Sequence, residues 1–211
     1  MSKCCDEGCG TVRKAAMDRQ AQRILLIVLI ANAIMFAVEI IGGHAIGSIS
    51  LQADALDFGA DAATYAITLW AIGKSDVIRT RAALIKSAAM LVLGIAILIG
   101  AGLRLAAGGA PDAPPMGLIG ALALAVNLGA VILLLRFREG DANLRSAWLC
   151  SRNDAFGNVL VILAAGATAA TNSLWPDLAV GVVMCLLFLS GSWSVYRQAR
   201  RESGAQARIA A

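Results

Sequence analysis

Three aspartates, Asp54, Asp57 and Asp61, stand in "LQADALDFGADAATYAITLWAI", a stretch from Leu51 that otherwise looks made for lipid. Asp57 and Asp61 are four residues apart, so on a helix they stack on one face, with Asp54 on nearly the same face. Two carboxylates one turn apart repel if both ionise. Protons, a basic partner or a metal cation must neutralise them. The sequence puts no lysine in mid-membrane, and His44, the only histidine, falls in a connection on the outer side. Protons and metal remain. Metal ligands must be deprotonated, so metal binding releases protons. Competition between the two for one site is the chemistry of metal/proton exchange.

"CSRNDAFGN" supplies a second pair, because Cys150 and Asp154 are also four apart and share one helical face. Four ligands, two from each of two helices, suit a tetrahedral divalent cation such as zinc. A thiolate leans such a site toward softer metals. The expected metal ligands are therefore Asp57, Asp61, Asp154 and Cys150. Asp54 lies nearer the outer mouth and is assigned a structural or gating role. Glu39 is read as a helix-contact or proton-relay residue, and Cys185 as packing.

The elements that must position these groups are apolar helices. Of the 211 residues, 59% are hydrophobic and 15% charged, and the mean hydropathy is +0.74. A soluble domain is usually less apolar and more charged. Six runs, at roughly 24–43, 47–72, 83–106, 116–136, 148–171 and 176–196, each approach the ~20 residues that cross the hydrocarbon. The expected fold is an all-α integral membrane protein, a bundle of six transmembrane helices. Residues 1–23 are expected as a cysteine-containing tail, 24–197 as the transmembrane domain and 198–211 as a short basic tail.

Positive charge gives the orientation. Lys3, Arg13, Lys14, Arg19 and Arg23 precede the first run, and Lys74, Arg79, Arg81 and Lys86 lie between the second and third. Arg136, Arg138, Arg145 and Arg152 surround the fourth connection, and Arg197, Arg200, Arg201 and Arg208 follow the sixth run. Arg104 alone falls on the other side. The positive-inside rule then puts both termini in the cytoplasm. These patches account for the net charge of +4 without nucleic acid. The polar start resembles no cleavable signal peptide. Cys4, Cys5 and Cys9 face a reducing compartment, where thiols stay free, and could capture a thiophilic cation. No nucleophile–base pair or cofactor fingerprint points to an enzyme.

In order and spacing these residues resemble the cation diffusion facilitator family. The first run carries Asn32, Phe36 and Glu39, then Gly42 and Gly43. "GSISLQADALDFGAD" is similar to the family's second-helix stretch, with Asp57 and Asp61 on its two metal-ligand positions. "CSRNDAFGNVLVILAA" is similar to the fifth-helix stretch, with Asp154 on its terminal aspartate and Cys150 where His or Asp is common. The resemblance implies a six-helix transporter that exports divalent metal from the cytoplasm against incoming protons, and it implies a homodimer. Most members carry a soluble metal-binding domain after the sixth helix; this chain is expected to be a short form without it.

The expected function is a divalent metal cation efflux transporter, a metal/proton antiporter of a bacterial inner membrane. Zn2+ or Cd2+ is the leading cargo, with no permanently bound cofactor. The expected partners are lipid, the cation and protons. The alternative is a membrane metal-binding or sensing module that moves nothing and acts through a partner.

Overall fold

The computed structural model describes residues 19–70, 76–137 and 142–210. Among the described residues there are six α-helices, one short 3-10 turn and no strand. The helices are α1 (Arg19–Ile46), α2 (Ile49–Trp70), α3 (Asp76–Ala107), α4 (Ala113–Leu134), α5 (Ala142–Thr171) and α6 (Trp175–Ala210). Each coincides with one expected apolar run. Cys4, Cys5 and Cys9, with Lys74 and Arg138, lie outside the described residues.

The helices are longer than the apolar runs. α1 continues through "GGHAI", expected as a connection, so His44 belongs to its last turn. It stops where Gly47 takes a positive φ of 74°, the backbone that glycine supplies at a helix end. α3 and α5 begin inside the expected basic connections, and α6 runs through the basic segment to Ala210. Hydropathy reports the part of a helix that suits lipid, not the polar turns that extend it.

Five of the six helices are long and apolar enough to cross a membrane. The exception, α2, carries the three aspartates. It is also the central element, packing against each of the other five helices. The closest pairs are α1 with α2, α4 with α5, and α3 with α6. Leu51, Ala53, Ala55, Leu56 and Phe58 bury α2 on several sides at once. The exposed apolar side chains belong mainly to the surrounding helices: Ile27, Ile30 and Ile34 on α1, and Val92, Ile95 and Ile99 on α3. α2 therefore offers its carboxylates to protein rather than to lipid, the placement expected of acids in an apolar bundle.

The start of α2 is anchored by a carboxylate from the far end of the sequence. Ser48 caps the helix, its Oγ accepting the Leu51 N–H at 3.2 Å. Asp177, buried in the first turn of α6, takes the preceding donors. Its Oδ2 accepts the Ile49 N–H at 2.8 Å, and its Oδ1 accepts the Ser50 N–H at 3.0 Å. The hydroxyls of Ser48 and Ser50 donate to Oδ1 at 2.7 and 2.6 Å. An anion at a helix N-terminus satisfies orphan N–H groups and meets the positive end of the helix dipole. Gly181 makes the approach feasible: a Cβ there would lie 2.7 Å from the Ile49 carbonyl carbon.

Asp177→Ala strands two buried N–H groups and is expected to cost about 2–4 kcal/mol of stability. Asp177→Asn, which keeps part of the acceptor set, should cost less. Thermal unfolding of the detergent-solubilised chain, compared across the two variants, checks the order.

Candidate metal site

Asp57 and Asp61 lie near the middle of α2, on the face shared by residues four apart. Cys150 and Asp154 stand in the same relation on α5. α2 and α5 are in contact, and all four residues line one cavity of about 560 Å³. Its remaining walls come from α3, with Lys86 and Met90, and from α6, with Ser192 and Val195. Asp57 and Asp154 are half-buried on this cavity, and Asp61 and Cys150 are buried. The expected pairs are thus brought to a common space.

They are not brought to a common point. Among the described residues no group of three His, Cys, Asp or Glu side chains forms a ready-made metal cage. Cys150 is disulfide-bonded, a state that offers no thiolate, so a ligand role for it applies to the reduced chain. Asp61 is held within its own helix, accepting the Tyr65 hydroxyl through Oδ2.

Asp54 is absent from the cavity wall. It is fully buried, and its Oδ2 accepts the Asn158 Nδ2 at 2.6 Å. This agrees with the expected structural role. Glu39 is likewise fully buried, inside the bundle. Cys185 packs as expected, fully buried, and its thiol donates to the Gly94 carbonyl at 3.2 Å.

Sequence reasoning missed two groups here. Lys86, assigned to the cytoplasmic patch, lines the cavity, where its Nζ donates to the Thr64 Oγ1. A cationic side chain therefore stands among the carboxylates, and a basic partner joins protons and metal as a neutralising agent. The missed signal was the reach of a lysine stem, which carries its charge far from its backbone position. Tyr65 was also missed, although it follows Asp61 by four residues on the same face.

Comparison with known proteins comes to the same helices. Residues 25–202 match the family described as the cation efflux transmembrane domain. The chain is 30% identical over 184 residues to the metal cation efflux system protein CzcD of Cupriavidus metallidurans, with 82% of this chain and 58% of that protein covered. The cation efflux system protein CzcD of an Alcaligenes species matches to the same extent. The chain therefore spans somewhat over half the length of the curated relatives it matches.

The cavity predicts a difference between the two described cysteines. After reduction, a small thiol reagent should label Cys150 in the folded chain and leave Cys185 unmodified. Mass spectrometry of the labelled peptides reads this directly, and equal labelling of both would contradict the assignment of Cys150 to the cavity wall.

Proposed function

The chain belongs to the cation efflux, or cation diffusion facilitator, family, and from that premise we propose that it is a divalent metal cation exporter driven by proton entry. The observation that carries the proposal is the shared cavity. Asp57 and Asp61 of α2 and Asp154 of α5 line it together, with Cys150 one turn from Asp154. Four side chains in a shared space without a preformed cage suit a cation that is bound and released, rather than one held for structure. Coordination would draw the ligands together; the reduced Cys150 would complete a tetrahedral set with the three carboxylates.

In this reading α2 is the sixth spanning helix, and its 22 residues extend about 33 Å at the helical rise of ~1.5 Å per residue. Both termini are cytoplasmic, on the side where the basic patches collect. Residues 24–197 form the transporting unit, between an N-terminal segment bearing three cysteines and a basic C-terminal segment. The membrane is a bacterial cytoplasmic membrane, and the working form is a homodimer. Zn2+ and Cd2+ are the proposed cargo. Support comes from the thiol and carboxylate donor set, and from relatives whose names describe cation efflux.

Proton coupling follows from the ligands. A carboxylate must be ionised to hold metal, so protons and metal compete. Protonation from the outer side ejects the cation outward; deprotonation toward the cytoplasm restores the site. Apparent metal affinity should fall as pH falls, by about tenfold per pH unit for each proton displaced. Binding titrations at several pH values, with proton release followed by an indicator, check sign and number together.

Purified chain in vesicles with an imposed pH gradient should move zinc or cadmium. Asp57→Ala and Asp154→Ala should each reduce flux at least ~100-fold, since loss even of a residue that merely supports a ligand costs about 10–100-fold in metal affinity. Cys150→Ser should change the ranking of the metals more than the maximal rate. Metal binding without flux of any cation would favour the sensing module over the exporter.

A further inference from the structure

One cation stands on the wall of the metal cavity. Among the described residues that line it, Lys86 of α3 is the only lysine or arginine, and it shares the space with Asp57, Asp61 and Asp154. Lys86 is half-buried, whereas Arg81, five residues earlier on α3, is exposed. A lysine stem ordinarily carries its charged head out to water. Here the Nζ donates instead to the Thr64 Oγ1 of α2.

Thr64 is oriented to receive it. Its own hydroxyl donates to the Ala60 carbonyl at 2.7 Å, so the oxygen turns its lone pairs toward the ammonium. Asp57, Ala60, Asp61 and Thr64 recur at helical spacing on one face of α2, and all four line the cavity. The ammonium is therefore seated on the face that carries two of the proposed ligands, one turn beyond Asp61.

Carboxylates that hold metal are ionised. Three of them with one ammonium leave a net charge of minus two, which one divalent cation cancels. The bonded Cys150 adds none. A reduced thiolate would make the total more negative without altering the sign of what Lys86 contributes. A fixed ammonium repels an incoming metal ion and attracts the ligands that the metal needs, and inside a cavity neither effect is well screened. We propose that Lys86 is a tethered counter-charge of the transport site, a specificity-determining residue with which the cargo competes for its ligands. It holds affinity low enough for release, and it disfavours ions of charge above two. This rests on the exporter reading, in which Asp57, Asp61 and Asp154 are the ligands.

Calorimetric titration of the purified, reduced chain at fixed pH and ionic strength tests this, with Cd2+ and Tb3+ as probes. Lys86→Leu, which removes the charge and offers no donor atom, should bind Cd2+ at least ~10-fold more tightly than the wild type. Its gain for Tb3+ should be larger. Lys86→Arg should stay near the wild type. Loss of a merely structural lysine would weaken binding rather than tighten it. Lys86→Gln serves as the second neutral variant should Lys86→Leu fail to elute and melt like the wild type. Affinity that is unchanged or weaker in a folded neutral variant overturns the proposal. In vesicles, Lys86→Leu should lower the half-saturating Cd2+ concentration and the maximal flux together; lower flux at an unchanged half-saturation would overturn the role in release. Asp57→Asn separates the two readings. Cd2+ binding that survives it refutes the ligand assignment and the counter-charge with it. Binding that is lost in Asp57→Asn, yet not tightened in Lys86→Leu, refutes the counter-charge alone.

Discussion

Everything in this bundle depends on how a charged carboxylate avoids hydrocarbon. Insertion of such a group into lipid costs at least ~2.5–3.5 kcal/mol, and α2 carries three. The chain meets that cost by placement. α2 is surrounded by the other five helices, so its acids face protein, a cavity or each other. The outer helices take the lipid contact, with Ile30, Ile34, Ile95 and Ile99 turned outward. A helix that is too polar to stand in lipid by itself becomes the axis of the bundle, and that central position is what gives it chemistry to do.

Central placement creates a second requirement, since buried polar groups must be satisfied. The first turn of α2 is satisfied by Ser48 and Asp177, its middle by Asn158, and its later turns by Tyr65. Glu39 and one oxygen of Asp54 break the pattern. The cavity acids differ, because Asp57 and Asp154 are only half-buried and open to an exchangeable ligand.

Much of this was legible in the sequence, and the gaps have physical causes. Six apolar runs gave six helices, because hydropathy measures what a lipid-facing helix needs. The spacing of Asp57 with Asp61 and of Cys150 with Asp154 placed each pair on one face, because helical period is local. The shared cavity also followed, once the two helices were set side by side. The role of Asp177 was not legible: its partners are 127 to 129 residues away, and no local pattern announces a contact of that range. Lys86 was misplaced because its backbone belongs with the cytoplasmic cations while its amine reaches the cavity. The bond state of Cys150 is a matter of redox chemistry that composition does not specify.

The position of Asp177 bears on how such a bundle can move. α3 and α6 pack closely on each other and meet the rest chiefly through α2, with α5 also touching α6. A rearrangement that opened the cavity to the other side would have to shift α3 and α6 relative to α1, α4 and α5. The first turn of α6 cannot part from α2 in that step without stranding a buried carboxylate and two backbone donors, at a cost of several kcal/mol. Motion is therefore easier away from that turn, where α2 meets α3 and α6 around the cavity. Asp54 lies next to the anchored turn, and Asp57 and Asp61 follow it toward the middle of α2. The cavity carboxylates Asp57 and Asp61 thus lie beyond the anchored turn, where α2 can change its neighbours.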